Sequence, residues 1–105
     1  MKEIFVSDET IKIVEEKAKF LSFEVEKKET TIPVHLIKLV QKAYNSSEGT
    51  ASLAIILETE DEFFISYDEL EDIDYVFNQI IDLKERKKCF RVELYNIETK
   101  ETIDK

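Results

Sequence analysis

The spacing of hydrophobic positions changes several times along this chain, and each change marks an expected boundary. Met1–Val6 reads as a short strand. Ser7 then offers a helix N-cap, with Asp8 and Glu9 in a first turn where the macrodipole favours acids. Ile11, Val14, Ala18 and Leu21 follow at helical spacing. Near Leu21 the period falls to two, because Leu21, Phe23 and Val25 alternate with Ser22, Glu24 and Glu26. The expectation is a helix over about 8–20 and a strand over about 21–27, with one longer helix as the alternative. Lys27–Thr31 is a polar turn. Pro33 suits the first position of a second helix, whose face is marked by Ile37, Val40 and Tyr44 and which ends near Asn45.

The second half has a plainer pattern. Ala51–Leu57 is an apolar run, Thr59–Glu62 a turn and Phe63–Tyr67 a returning strand, which together predict a hairpin. Ser66 and Glu69 have the spacing of a capping box for a helix over about 67–86. Leu70, Ile73, Phe77, Ile80 and Ile81 would face inward, and Glu71, Asp72, Tyr75, Asn78, Gln79 and Asp82 outward. Lys84, Arg86, Lys87 and Lys88 give its end the sign that the C-terminal dipole favours. Phe90, Val92 and Leu94 alternate with polar neighbours, so Cys89–Ile97 reads as a strand with one wet face. Thr99–Glu101 then turns a short final hairpin toward Ile103.

The predicted order is β-α-β-α-β-β-α-β, an α+β domain in which about three helices pack on one face of a mainly antiparallel sheet. At 105 residues the chain is expected to form one domain, 1–105, with a possible internal seam at 45–50, where NSSEGT holds the only glycine. One glycine and one proline leave few turns that rely on positive φ. The single cysteine excludes an internal disulfide. The N-terminus has no apolar signal-type region, and the longest apolar run, Leu53–Leu57, falls far short of the ~20 residues that span a bilayer. A soluble, cytoplasmic protein is the expectation.

Charge changes the picture. The formal net charge is −9, and it comes from one window. Between Lys42 and Lys84 there is no basic residue and there are eleven acids, while the rest of the chain is nearly balanced. Such a surface repels nucleic acid and membranes and attracts basic proteins.

Catalytic signatures are missing. Phosphate-cradling loops need several glycines, and zinc sites normally need several Cys or His ligands. His35 and Cys89 read as a surface histidine and a small buried cysteine. Glu58, Glu60 and Glu62 share a parity at the hairpin turn, but the spacing and central glycine of a calcium loop are absent. No cofactor, metal site or enzymatic activity is expected.

The functional expectation is an acidic binding protein, of the kind that antagonises a nuclease or mimics nucleic acid. It would bind a basic partner, such as a nuclease or another nucleic-acid-binding protein. The binding residues would be Glu58, Glu60, Asp61 and Glu62 at the hairpin tip, with Asp68, Glu71, Asp72, Tyr75 and Asp82 on the helix. The alternative is a self-associating scaffold domain, with Cys89–Ile97 or Ala51–Leu57 as an edge strand that pairs across a homodimer. The first reading depends on whether tip and helix are neighbours.

Overall fold

The computed structural model describes residues 2–18, 24–66 and 72–105. They form a small domain of mixed composition, mostly strands with one helix. In chain order the elements are β1 (Lys2–Val6), β2 (Thr10–Ala18), β3 (Val25–Pro33), a 3-10 turn (Val34–Leu36), β4 (Ile37–Asn45), β5 (Thr50–Leu57), β6 (Glu62–Ser66), α1 (Ile73–Lys87), β7 (Arg91–Asn96) and β8 (Glu101–Asp104). One sheet is an antiparallel meander, β1-β2-β3. The other has the order β6-β5-β4-β7-β8, and only its β4–β7 pair is parallel.

The first half departs from the predicted pattern, and one α-helix replaces the expected three. Residues 10–18 form a strand because Ile11 and Ile13, two apart, are the buried side chains, while Ala18 is exposed. Ser7 caps no helix. Its amide and hydroxyl both donate to the Thr10 carbonyl and close the β1–β2 turn. The predicted turn at Lys27–Thr31 lies inside β3. The strand expected at 21–27 lies partly outside the described residues, which resume with Glu24 and enter β3 at Val25. Charge complementarity supports this hairpin: Glu15, Glu16 and Lys17 stand opposite Lys28, Lys27 and Glu26. Lys27 and Glu16 approach to 3.5 Å.

Pro33 ends β3, and only a single 3-10 turn follows before β4. The helix-like spacing of Ile37 and Val40 has a different origin. The β4–β5 register shifts between Ile37 and Leu39. The extra residue reverses the alternation, so two positions three apart both face the core. Both are fully buried.

The second half follows its pattern closely. β5 and β6 form the expected hairpin, and α1, β7 and β8 arrive in the expected order. The helix is capped by Asp72, whose side chain accepts from the Tyr75 amide at 2.9 Å. Ser66 belongs to β6, and Glu69 of the predicted capping box lies outside the described residues, as do Tyr67, Asp68, Leu70 and Glu71. α1 ends at Lys88, whose left-handed conformation (φ 54°) closes the last turn by donating its amide to the Lys84 carbonyl.

One core joins both sheets and the helix. Ile4, Ile11, Ile13 and Ile32 enter it from the three-stranded sheet, and Ile37, Val40, Leu53, Ile55, Ile65 and Val92 from the other. Ile73, Val76, Phe77, Ile80 and Leu83 enter it from α1, and Val34, Leu57 and Phe90 complete it. Each such side chain removed from water contributes about 1.5–3 kcal/mol. Among the described residues no polar or charged side chain is buried. α1 covers one face of the five-stranded sheet and also touches β1. The seam suggested at 45–50 is occupied by the tight turn between β4 and β5.

Candidate protein-binding surfaces

The acidic tip, residues 58–62, comprises the connection 58–61 and the first residue of β6. The Leu57 amide donates to the Asp61 carbonyl, and the Glu60 amide to the Leu57 carbonyl, both at 2.9 Å. Glu60 accordingly takes a positive φ of 71°. The Thr59 hydroxyl donates to Asp61 at 2.9 Å. The tip is anchored where β4 begins: the Glu58 amide donates to the Leu36 carbonyl at 2.8 Å, and Lys38 pairs with Glu60 at 3.2 Å. Glu58 and Glu62 are exposed and have no ion-pair partner among the described residues.

The helix acids begin further along β4. Asp74 pairs with Lys42, whose ammonium also lies 5.5 Å from the centre of the Phe77 ring. Lys38 and Lys42 are four residues apart, about 13 Å along an extended strand. From Asp72 the helix runs back about 22 Å toward the tip. It arrives there with Arg86, Lys87 and Lys88, and Arg86 pairs with Asp8 at 3.0 Å. Glu60 and Asp74 are therefore held at points about 13 Å apart along β4, with the basic helix terminus on the tip's side. Of the predicted helix residues, Asp72 stands at the end of α1 away from the tip and Asp82 further along toward it, while Asp68 and Glu71 lie outside the described residues.

The outer face of α1 stays open. Asp72, Tyr75, Asn78, Asp82 and Glu85 are all exposed and follow one another at helical spacing. Tyr75 is 62% exposed. Asp82 and Glu85 have no ion-pair partner among the described residues. Glu85 joins this face although the sequence reading left it out, and the i+3 step from Asp82 was the available signal. Asp68 and Glu71 lie outside the described residues.

The chain's one histidine and one cysteine line the same groove, of about 500 Å³, together with Asp8, Glu9 and Lys87. Cys89 is exposed, contrary to the expectation of a small buried cysteine. Its thiol points at the Val34 carbonyl, 3.8 Å away, and no hydrogen bond links it to His35. At the far end of the five-stranded sheet the turns 45–50 and 96–101 are tied together, where the Ser47 hydroxyl and amide both donate to Glu98. These bonds hold the Glu98 carboxyl below its usual range, the hydroxyl contributing most.

Among the described residues no helix is long and apolar enough to cross a membrane, and no group of three or more His, Cys, Asp or Glu is placed to hold a metal ion. Comparisons with protein-family models, with curated proteins and with solved structures find no match to this chain.

Proposed function

We propose that the protein is a non-enzymatic binding module that takes a basic protein on the outer face of α1. The observation that carries this reading is the exposed Tyr75 set among Asp72, Asp82 and Glu85 on a rigid, capped helix. Tyrosine is a preferred interface anchor because it offers a large contact area at low entropic cost. The flanking carboxylates supply steering toward positive charge. Asp72 to Glu85 spans about 20 Å along the helix axis. A row of carboxylates on that scale suits the phosphate-binding groove of a nuclease or another nucleic-acid-binding protein. In this reading the hairpin tip serves as a separate acidic patch, distinct from the face that Tyr75 anchors.

The test is affinity capture from the cells that make the protein, at low and high salt, with three forms of the bait. The wild type is expected to retain a basic protein that elutes as salt rises. Asp82→Lys with Glu85→Lys is expected to lose it at low salt. Glu58→Lys with Asp61→Lys and Glu62→Lys is expected to keep it. Equal capture by the helix-reversed form would sink the proposal.

A further inference from the structure

We infer that β6 is a self-pairing edge through which two copies of this chain join their five-stranded sheets, with Phe64 on the two-fold axis.

The four sheet edges are unequal. β3 carries Glu26, Lys27, Lys28 and Glu29 along its exposed length and ends in Pro33, features that discourage pairing. β8 is four residues long with an acid at each end. β1 lies beside α1. β6, by contrast, reads Glu-Phe-Phe-Ile-Ser, with no charge at its three central positions. Among the described residues it has a strand neighbour on one side only.

Its hydrogen-bond phase suits a second copy. Leu57 and Asp61 form a hydrogen-bonded pair at the hairpin turn. Antiparallel pairs alternate, so Ile55–Phe63 and Leu53–Ile65 are the next pairs that exchange bonds between β5 and β6. The amides and carbonyls of Glu62 and Phe64 therefore point away from β5. A two-fold axis through Phe64 sets that residue opposite itself in a hydrogen-bonded pair, so the central contact is satisfied without a shift in register.

The side chains suit the same operation. Phe64 is 62% exposed on the sheet face that α1 leaves open. Its cross-strand neighbour is Ala54, which leaves room for the ring beside it. On the axis the two Phe64 rings would cover each other between two alanines. Glu62 would stand opposite a serine, not an acid, and the two acidic tips would point away from each other. The strands that sequence reading offered as edges, Ala51–Leu57 and Cys89–Ile97, correspond to β5 and β7, each flanked on both sides.

Salt separates this contact from binding of a basic partner. Two copies, each with a net charge of −9, repel one another, so added salt should tighten the dimer while it weakens the partner complex. The experiment is analytical ultracentrifugation at ~0.05 and ~0.5 M salt, on either side of a Debye length of about 10 Å. Wild-type protein is expected to dimerise weakly, with a dissociation constant that falls severalfold at the higher salt. Phe64→Lys should be monomeric with an unchanged circular dichroism spectrum and unchanged capture of the basic partner. Phe5→Lys, at a comparably exposed phenylalanine of the other sheet, should dimerise like the wild type. In a Cys89→Ser background, Phe64→Cys should give a disulfide-linked dimer on oxidation, since Cα atoms in such a pair lie about 5.5 Å apart, within disulfide reach. Phe5→Cys in that background should not. A wild type that stays monomeric at about 1 mM in high salt, a dimeric Phe64→Lys or an uncrosslinked Phe64→Cys would each overturn the proposal.

Discussion

The turns 45–50 and 96–101 have the same design but not the same residue at their critical position, and exchanging those residues should move stability in opposite directions. In each turn an asparagine carbonyl accepts from the amide four residues on: Gly49 to Asn45 at 2.9 Å, and Lys100 to Asn96 at 2.8 Å. In each the asparagine side chain also accepts amides within the turn. The donor residue is left-handed in both, with φ of 67° at Gly49 and 61° at Lys100. A side chain there costs about 1–2 kcal/mol from its Cβ. Glycine gives back about 0.5–1 kcal/mol through the larger entropy of its unfolded state. The net gain for Lys100→Gly is therefore about 0.5–1 kcal/mol. With an unfolding entropy of about 2.1 cal/mol/K per residue over 105 residues, Tm should rise by about 2–5 °C. Gly49→Ala should lower it by a similar amount. No atom lies within 4 Å of the added Cβ, so the loss would come from the backbone alone. Differential scanning calorimetry of the two variants and the wild type measures both shifts. A lower Tm for Lys100→Gly, or an unchanged one for Gly49→Ala, would refute the backbone argument.

Asp72→Ala removes the side-chain acceptor for the Tyr75 amide and should cost about 1 kcal/mol in urea unfolding. Asp72→Asn, which keeps the acceptor, should retain most of that stability. The Ser47–Glu98 tie should make a pH-dependent contribution. Because folding lowers the Glu98 pKa, its stabilisation is present above the unfolded value of about 4.3 and is lost as pH falls through the folded value. Glu98→Gln should therefore be less stable than wild type at pH 7 and indistinguishable from it near pH 2, as read from urea midpoints at the two pH values.

The parts of the fold legible in the sequence are those whose pattern is local. The run Ala51–Leu57, the turn acids and Phe63–Ile65 mark a hairpin, and the spacing of Ile73, Phe77 and Ile80 marks the buried face of α1. β2 was hidden because Glu15, Glu16 and Lys17 favour a helix, while the complementary Glu26, Lys27 and Lys28 that make a strand pair of them lie about ten residues away. β4 was hidden because an inserted residue near Lys38 converts alternating burial into a spacing of three. Tyr75 was correctly placed outward, since the helix face alone decides it. The spacing of Glu60 and Asp74 was not legible. It depends on the 37–45 segment being extended, which sets Lys38 beside Glu60 and Lys42 beside Asp74.

The parallel pairing of β4 with β7 also sets an order of assembly. β1-β2-β3 and β4-β5-β6 can each zip up from adjacent segments. β7 must find β4 across about fifty intervening residues, with Leu39 beside Arg91. Closing a loop of that size costs entropy before any contact offsets it, so docking of β7 should be the slow event of folding. Until it happens, β4 is an exposed edge carrying Ile37, Leu39 and Val40. A ribosome-bound chain that has not yet emitted β7, or a fragment truncated before it, would be the form of this protein most prone to aggregate.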